Sequence, residues 1–169
     1  YEEEGRWKEA NLELERALSF DGGSPELHAR RGRVLIQLDQ LGQAEKEITA
    51  SLGIETTVDG LQAQADLRAA RGDAAGALAS YQRAAGLVSF ADNAMEAETV
   101  YLGLAEMQIV TLDVATAEAT LRRLCGQDRR SLAGRLRLAA TAWAQGDMAA
   151  AEAHFKDAVA VEPSSLEGL

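Results

Sequence analysis

An alanine returns through this chain almost on schedule, at Ala10, Ala44, Ala77, Ala117 and Ala151, with intervals of 34, 33, 40 and 34 residues. A period near 34 is the mark of a chain built from repeated supersecondary units. Each alanine keeps similar company. A small residue stands twelve places before it (Gly32, Ala65, Ala105, Ala139), and a large apolar one four places after it (Leu14, Ile48, Tyr81, Leu121, Phe155). Units of this kind touch only their neighbours, so they stack into an elongated body with a long exposed surface of the sort that holds other proteins.

Each repeat reads as two amphipathic helices joined by a tight turn, with apolar residues recurring at three- and four-residue spacing. The turn falls about five residues before the alanine, where Gly5, Gly72 and Gly146 tolerate the positive φ that ends a helix and reverses the chain. Asp39, followed by Gly42, takes that place in the second repeat. Leu112-Asp113 takes it in the fourth, the least regular of the five. Helix starts agree with this phase: Ser24-Pro25-Glu26 offers a capping hydroxyl, a proline at the first helical position and a carboxylate for the helix dipole, and Ser131 caps in the same way. The predicted helices span 7–20, 25–38, 41–53, 58–71, 74–87, 94–111, 114–126, 132–145 and 148–161, and no strand run is visible.

The 40-residue interval places about six extra residues near 89–95. Two readings stay open: Asn93 and Glu96 form a capping box that starts the next helix a turn early and carries it to Val110, or Ser89-Phe90-Ala91-Asp92 is simply a longer loop.

The stretch Gly72-Asp73-Ala74-Ala75-Gly76-Ala77-Leu78-Ala79-Ser80-Tyr81 resembles the second half of a tetratricopeptide repeat. Gly146-Asp147-Met148-Ala149-Ala150-Ala151 through Phe155, closed by Pro163, and Gly5-Arg6-Trp7-Lys8-Glu9-Ala10 resemble it too. The resemblance covers the whole chain, from a truncated first repeat whose Tyr1 stands where the family favours tyrosine. It implies an all-α solenoid of antiparallel helix pairs, a right-handed superhelix, in a single domain over 1–169. The divisions are a partial repeat 1–24 and repeats at about 25–57, 58–97 with the insertion, 98–131 and 132–165. Departures are local: proline closes only the last repeat, and Leu124 stands where alanine is usual.

The resemblance also implies a concave face, lined by the first helix of each repeat, that receives an extended peptide or a partner helix. Carried over by phase, that face includes Arg30, Arg33 and Ile36, then Gln62 and Asp66. Leu102, Glu106 and Ile109 follow, then Leu136, Arg137 and Trp143. The arginines suit an acidic amphipathic segment, and Leu102, Ile109 and Trp143 either offer apolar contact to it or pack between repeats or under a further terminal helix. The carboxylate clamp of chaperone-tail adaptors is not reproduced. Its spacing falls on Ala29, Arg33, Ala63, Thr99 and Gly103, or one repeat later on Gln62, Asp66, Gly103, Ala133 and Arg137. Neither set gathers the cations and amides a carboxylate needs.

Composition excludes several other roles. A formal charge of −10 opposes nonspecific nucleic-acid binding and adhesion to anionic lipid. No long apolar run suggests membrane insertion, and no signal peptide is visible. Arginine outnumbers lysine 14 to 3, as in GC-rich bacterial genomes. A single cysteine, Cys125, precludes an intrachain disulfide and leaves cytoplasm and periplasm both open. His28 and His154 lie outside any metal-ligand spacing. Cys125 reads as a small buried hydrophobe without a supporting histidine, and Arg122, Arg123, Arg129, Arg130, Arg135 and Arg137 as a basic stretch that is either suited to carboxylate recognition or a solvated loop with scattered ion pairs. The sequence therefore offers no catalytic residue, no metal site and no cofactor site.

The chain is expected to be part of a longer protein, with Ser164 to Leu169 opening a further helix. Bare repeat ends would let copies pair. The expectation is a noncatalytic interaction scaffold. The alternatives are a self-assembling scaffold of a bacterial secretion, pilus or exopolysaccharide-export assembly, and a regulatory module beside a catalytic domain.

Overall fold

The computed structural model describes residues 2–161, with side chains from Gly5 onward; Tyr1, Pro163 and the segment Ser164 to Leu169 lie outside the described residues. The described residues form helices and short connections without a strand. The helices are α1 (Glu2–Phe20), α2 (Pro25–Gln37), α3 (Leu41–Ile54), α4 (Val58–Ala70), α5 (Ala74–Leu87), α6 (Ala94–Val110), α7 (Val114–Gln127), α8 (Leu132–Ala144) and α9 (Met148–Val161). This is an all-α arrangement of helix pairs. The chain divides into two compact units between Leu87 and Val88. In the first, α2 pairs with α3 and α4 with α5, while α1 packs on α2, and α4 packs on both α2 and α3. In the second, α6 pairs with α7 and α8 with α9, and α8 also packs on α6 and α7.

The alanine phase marks the closest helix approaches. Ala44, Ala77 and Ala117 are fully buried and Ala151 nearly so, as are their partners Ala65, Ala105 and Ala139. Gly32 is buried beside Ile48. Small residues at both sides of a crossing let two backbones approach and leave the large residues to fill the space around it. In the first unit that filling is Leu35, Ile48 and Leu67 around Ala29, Ala44 and Ala63. In the second it is Leu121 and Leu138 around Ala105 and Ala117.

Capping fixes most helix starts. Ser24 Oγ accepts from Leu27 N at 3.2 Å, with Pro25 in the first turn, and Ser131 Oγ accepts from Gly134 N at 3.0 Å. Thr57, Asp73, Asp113 and Asp147 do the same for α4, α5, α7 and α9. At the irregular interval, Asn93 Oδ1 accepts from Glu96 N at 3.1 Å, and α6 runs for 17 residues where α2, α4 and α8 run for 13. The early start is therefore real. The loop over 88–93 is also longer than the other inter-pair loops, so both readings of the insertion contribute.

Turns inside the pairs share one conformation. Gly72 and Gly146 take φ of 78° and 81°, and Asp39 and Leu112 adopt φ of 56° and 64° at the equivalent places. The least regular turn in sequence thus keeps the common backbone at a local cost. Gly5 corrects the expectation of a turn: α1 passes straight through it. Gly5 is exposed with no neighbour near its missing Cβ, and one glycine lowers helix stability by only about 1 kcal/mol.

Candidate partner-binding groove

α2 carries Ala29, Gly32, Val34 and Leu35 into the core, which leaves Arg30, Arg33, Ile36 and Gln37 along another side of the helix. With Trp7 and Leu14 of α1 and Asp66 of α4, these residues line a pocket of about 350 Å³. A second depression of about 420 Å³, lined by Arg6, Trp7, Ala10 and Gln37, adjoins it, and the Trp7 indole borders both. All of this lies within the first unit.

The charge arrangement is specific. Arg33 Nε reaches Asp66 Oδ2 at 3.1 Å, and the other oxygen of Asp66 accepts a hydrogen bond from the Tyr81 hydroxyl. Asp66 is therefore held from two sides, and it holds Arg33. Arg30 is exposed and has no ion-pair partner among the described residues. Among the described residues that line either pocket, Asp66 is the one carboxylate. In a chain of formal charge −10, this is a local basic and aromatic surface.

Of the residues expected on the concave face, Arg30, Arg33, Ile36 and Asp66 come together here. Gln62 does not. It is 3% exposed, on a helix that packs against α2, α3 and α5. Trp7 and Leu14 were missed because α1 takes the place of a second helix in its repeat, and the expected wall was drawn from first helices only. An aromatic ring adjoining an arginine, as at Arg6-Trp7, was the available signal.

In the second unit the expected residues separate. Glu106 and Arg137 approach to 3.8 Å on the surface. Leu102 and Ile109 are half-buried against the Ala105, Ala117, Leu121 and Leu138 cluster, so they serve the core, while Leu136 remains at the surface. Trp143 is 62% exposed and lines an apolar depression of about 510 Å³ with Met148, Phe155 and Val159.

The arginine-rich stretch disperses. Arg122 pairs with Glu118, Arg123 lies 5.3 Å from the Tyr101 ring centroid, and Arg135 donates to Ser131 O at 2.9 Å. His28 Nδ1 meets Glu47 Oε2 at 2.6 Å, and Arg31 bonds the other oxygen of Glu47 at 2.8 Å, an inter-helix network with a structural role. Cys125 packs beside the second unit's core, and burial pushes its thiol above the usual pKa. Among the described residues no acidic, histidine or cysteine cluster suits a metal ion, and no helix is long and apolar enough to cross a membrane.

The helix-pair arrangement superposes on TTC0263, a thermophilic tetratricopeptide-repeat protein of Thermus thermophilus, with a TM-score of 0.78 at 19% identity over 96% of this chain and 87% of that one. The chain has the tetratricopeptide-repeat fold. PilW, a widely conserved type IV pilus biogenesis factor, matches with a TM-score of 0.77 at 17% identity over 95% of this chain and 72% of its own. YrrB, a tetratricopeptide-repeat protein with an unusual peptide-binding site, matches with a TM-score of 0.65 at 14% identity over 95% of this chain and 80% of its own. No family model and no curated protein matches by sequence. What these tetratricopeptide-repeat structures share with this chain is the fold.

Proposed function

We propose that this chain is a noncatalytic interaction scaffold that holds an acidic, amphipathic peptide or helix in the groove between α1, α2 and α4. The observation that carries this reading is the Trp7 pocket, in which an exposed indole and two arginine side chains line one cavity of about 350 Å³. Aromatic and arginine side chains in concave sites are the residues that most often dominate binding energy. The peptide-binding site of YrrB supports such a use of the same fold.

The test is selection of binders from a peptide-display library on the immobilised protein. Binding of the selected peptides is then measured to the wild type, Trp7→Ala, Arg33→Glu and Trp143→Ala. Trp7→Ala and Arg33→Glu should each weaken binding at least tenfold, while Trp143→Ala leaves it unchanged. Selected peptides that bind the first two variants as well as the wild type would refute the groove.

A second reading is self-assembly through the α8 and α9 surface. Trp143, Met148, Phe155 and Val159 all stay exposed there, and exposed apolar clusters mark association surfaces. The similarity to a pilus biogenesis factor is in keeping with it. It predicts concentration-dependent mass in light scattering that Trp143→Glu abolishes.

A further inference from the structure

We infer that Asp66, anchored by the Tyr81 hydroxyl, sets the charge this groove accepts, so that the ligand presents one carboxylate beside an apolar side chain and not a phosphate dianion. The inference rests on the groove reading above and specifies its chemistry. Among the described residues, the charged side chains that line the pocket are Arg30, Arg33 and Asp66. The Nε of Arg33 lies 3.1 Å from Asp66 Oδ2, while the second Asp66 oxygen accepts from Tyr81. With both oxygens engaged, the Asp66 carboxylate is fixed on the wall of the pocket, and its charge offsets one of the two arginines.

The remaining positive charge belongs to Arg30, which has no acidic partner among the described residues. One carboxylate neutralises it, and a guanidinium receives a carboxylate through two parallel hydrogen bonds. A phosphate carries up to two negative charges at neutral pH and would place the second near Asp66, where like charges repel. The apolar half of the ligand follows from Trp7, Leu14, Val34 and Ile36, which line the same cavity. Asp66 acts through Arg33 and through repulsion, so it is a positioning and specificity residue.

The probes are three fluorescein-labelled peptides with an Ala/Ser/Gly background and a central Phe–Glu, Phe–Gln or Phe–phosphoserine pair. Their anisotropy is followed with the whole chain at 50 mM and 200 mM salt. Wild type should bind the Glu peptide at least fivefold tighter than the Gln peptide and tighter than the phosphoserine peptide. Asp66→Asn should shift the phosphoserine-to-Glu preference at least fivefold toward phosphoserine. Tyr81→Phe should shift it in the same direction by less, and melting curves establish that both variants are folded. An unchanged preference in folded Asp66→Asn, with binding still lost in Trp7→Ala, overturns the inference and leaves the groove standing. Binding that ignores Trp7→Ala, or no binding of any probe, overturns the inference; the display selection decides the groove independently.

Discussion

Gly32 on α2 lies so close to Ile48 on α3 that a β-carbon at position 32 would stand 2.6 Å from Ile48 Cγ1. The other pairs place alanine at this site, at Ala65, Ala105 and Ala139, opposite Tyr81, Leu121 and Phe155. Those three branch at Cγ. Isoleucine branches at Cβ and holds a stiff rotamer, so its Cγ1 cannot swing away. Gly32→Ala gains helix propensity of about 1 kcal/mol but overpacks a site where Ile48 is 3% exposed, which costs about 1–3 kcal/mol. The net expectation is a loss of about 1 kcal/mol in denaturant unfolding. Adding Ile48→Leu, which recreates the Ala105 and Leu121 pairing, should recover most of it, and a double-mutant cycle measures the coupling.

Leu112 holds φ of 64° with a side chain that is 87% exposed. A left-handed backbone costs an L-residue about 1–2 kcal/mol, and almost no burial offsets it here. Leu112→Gly should therefore raise stability by about 0.5–1 kcal/mol, part of the gain being returned through the freer unfolded chain. Asp39→Gly, at φ of 56°, should gain less, because aspartate tolerates this region better. Urea midpoints compare the two.

These turns show what the sequence could and could not disclose. The helix phase was legible because it is written redundantly, in the alanine period, the apolar spacing and the Ser24 and Ser131 caps, all of which agree. Gly5 was misread because glycine marks a turn only where the chain must reverse, and α1 does not reverse there. The arginine face of α2 followed from helical geometry. Trp7 did not, because its place in the pocket depends on how α1 leans against α2. The burial of Gln62 was not legible for the converse reason: how much of α4 is covered is a tertiary fact that local periodicity does not encode.

Gln108 is 5% exposed, and its Oε1 is buried without a hydrogen-bond partner among the described residues. Nine places before the marker alanine, it occupies the site that Leu35 fills in the second repeat, where the leucine is fully buried. An unmet buried acceptor costs about 1–3 kcal/mol, whereas an apolar group of similar shape has none to satisfy. Gln108→Met, close in shape, is expected to raise the unfolding free energy by about 1 kcal/mol. A gain in thermal melting with no change in helix content would confirm it, and destabilisation would mean that the amide makes contacts worth more than its orphaned oxygen costs.

Cys125 supplies the pH-dependent test. Burial is the main cause raising its thiol pKa, Arg135 counteracts it in part, and Asp128 and Glu98 add to the rise. Only the thiolate alkylates readily, so at a given pH the folded protein should react with iodoacetamide more slowly than an exposed cysteine, and the rate should climb at a higher pH. The sign for stability follows from the same shift. Because the folded state keeps the proton more tightly than the unfolded chain, its contribution is complete below the ordinary thiol pKa of about 8.5 and is lost as pH rises through the folded value. Unfolding free energy should then fall between neutral pH and the alkaline range more steeply for wild type than for Cys125→Ala. Alkylation at neutral pH as fast as that of the urea-unfolded chain would contradict the burial that this assignment depends on.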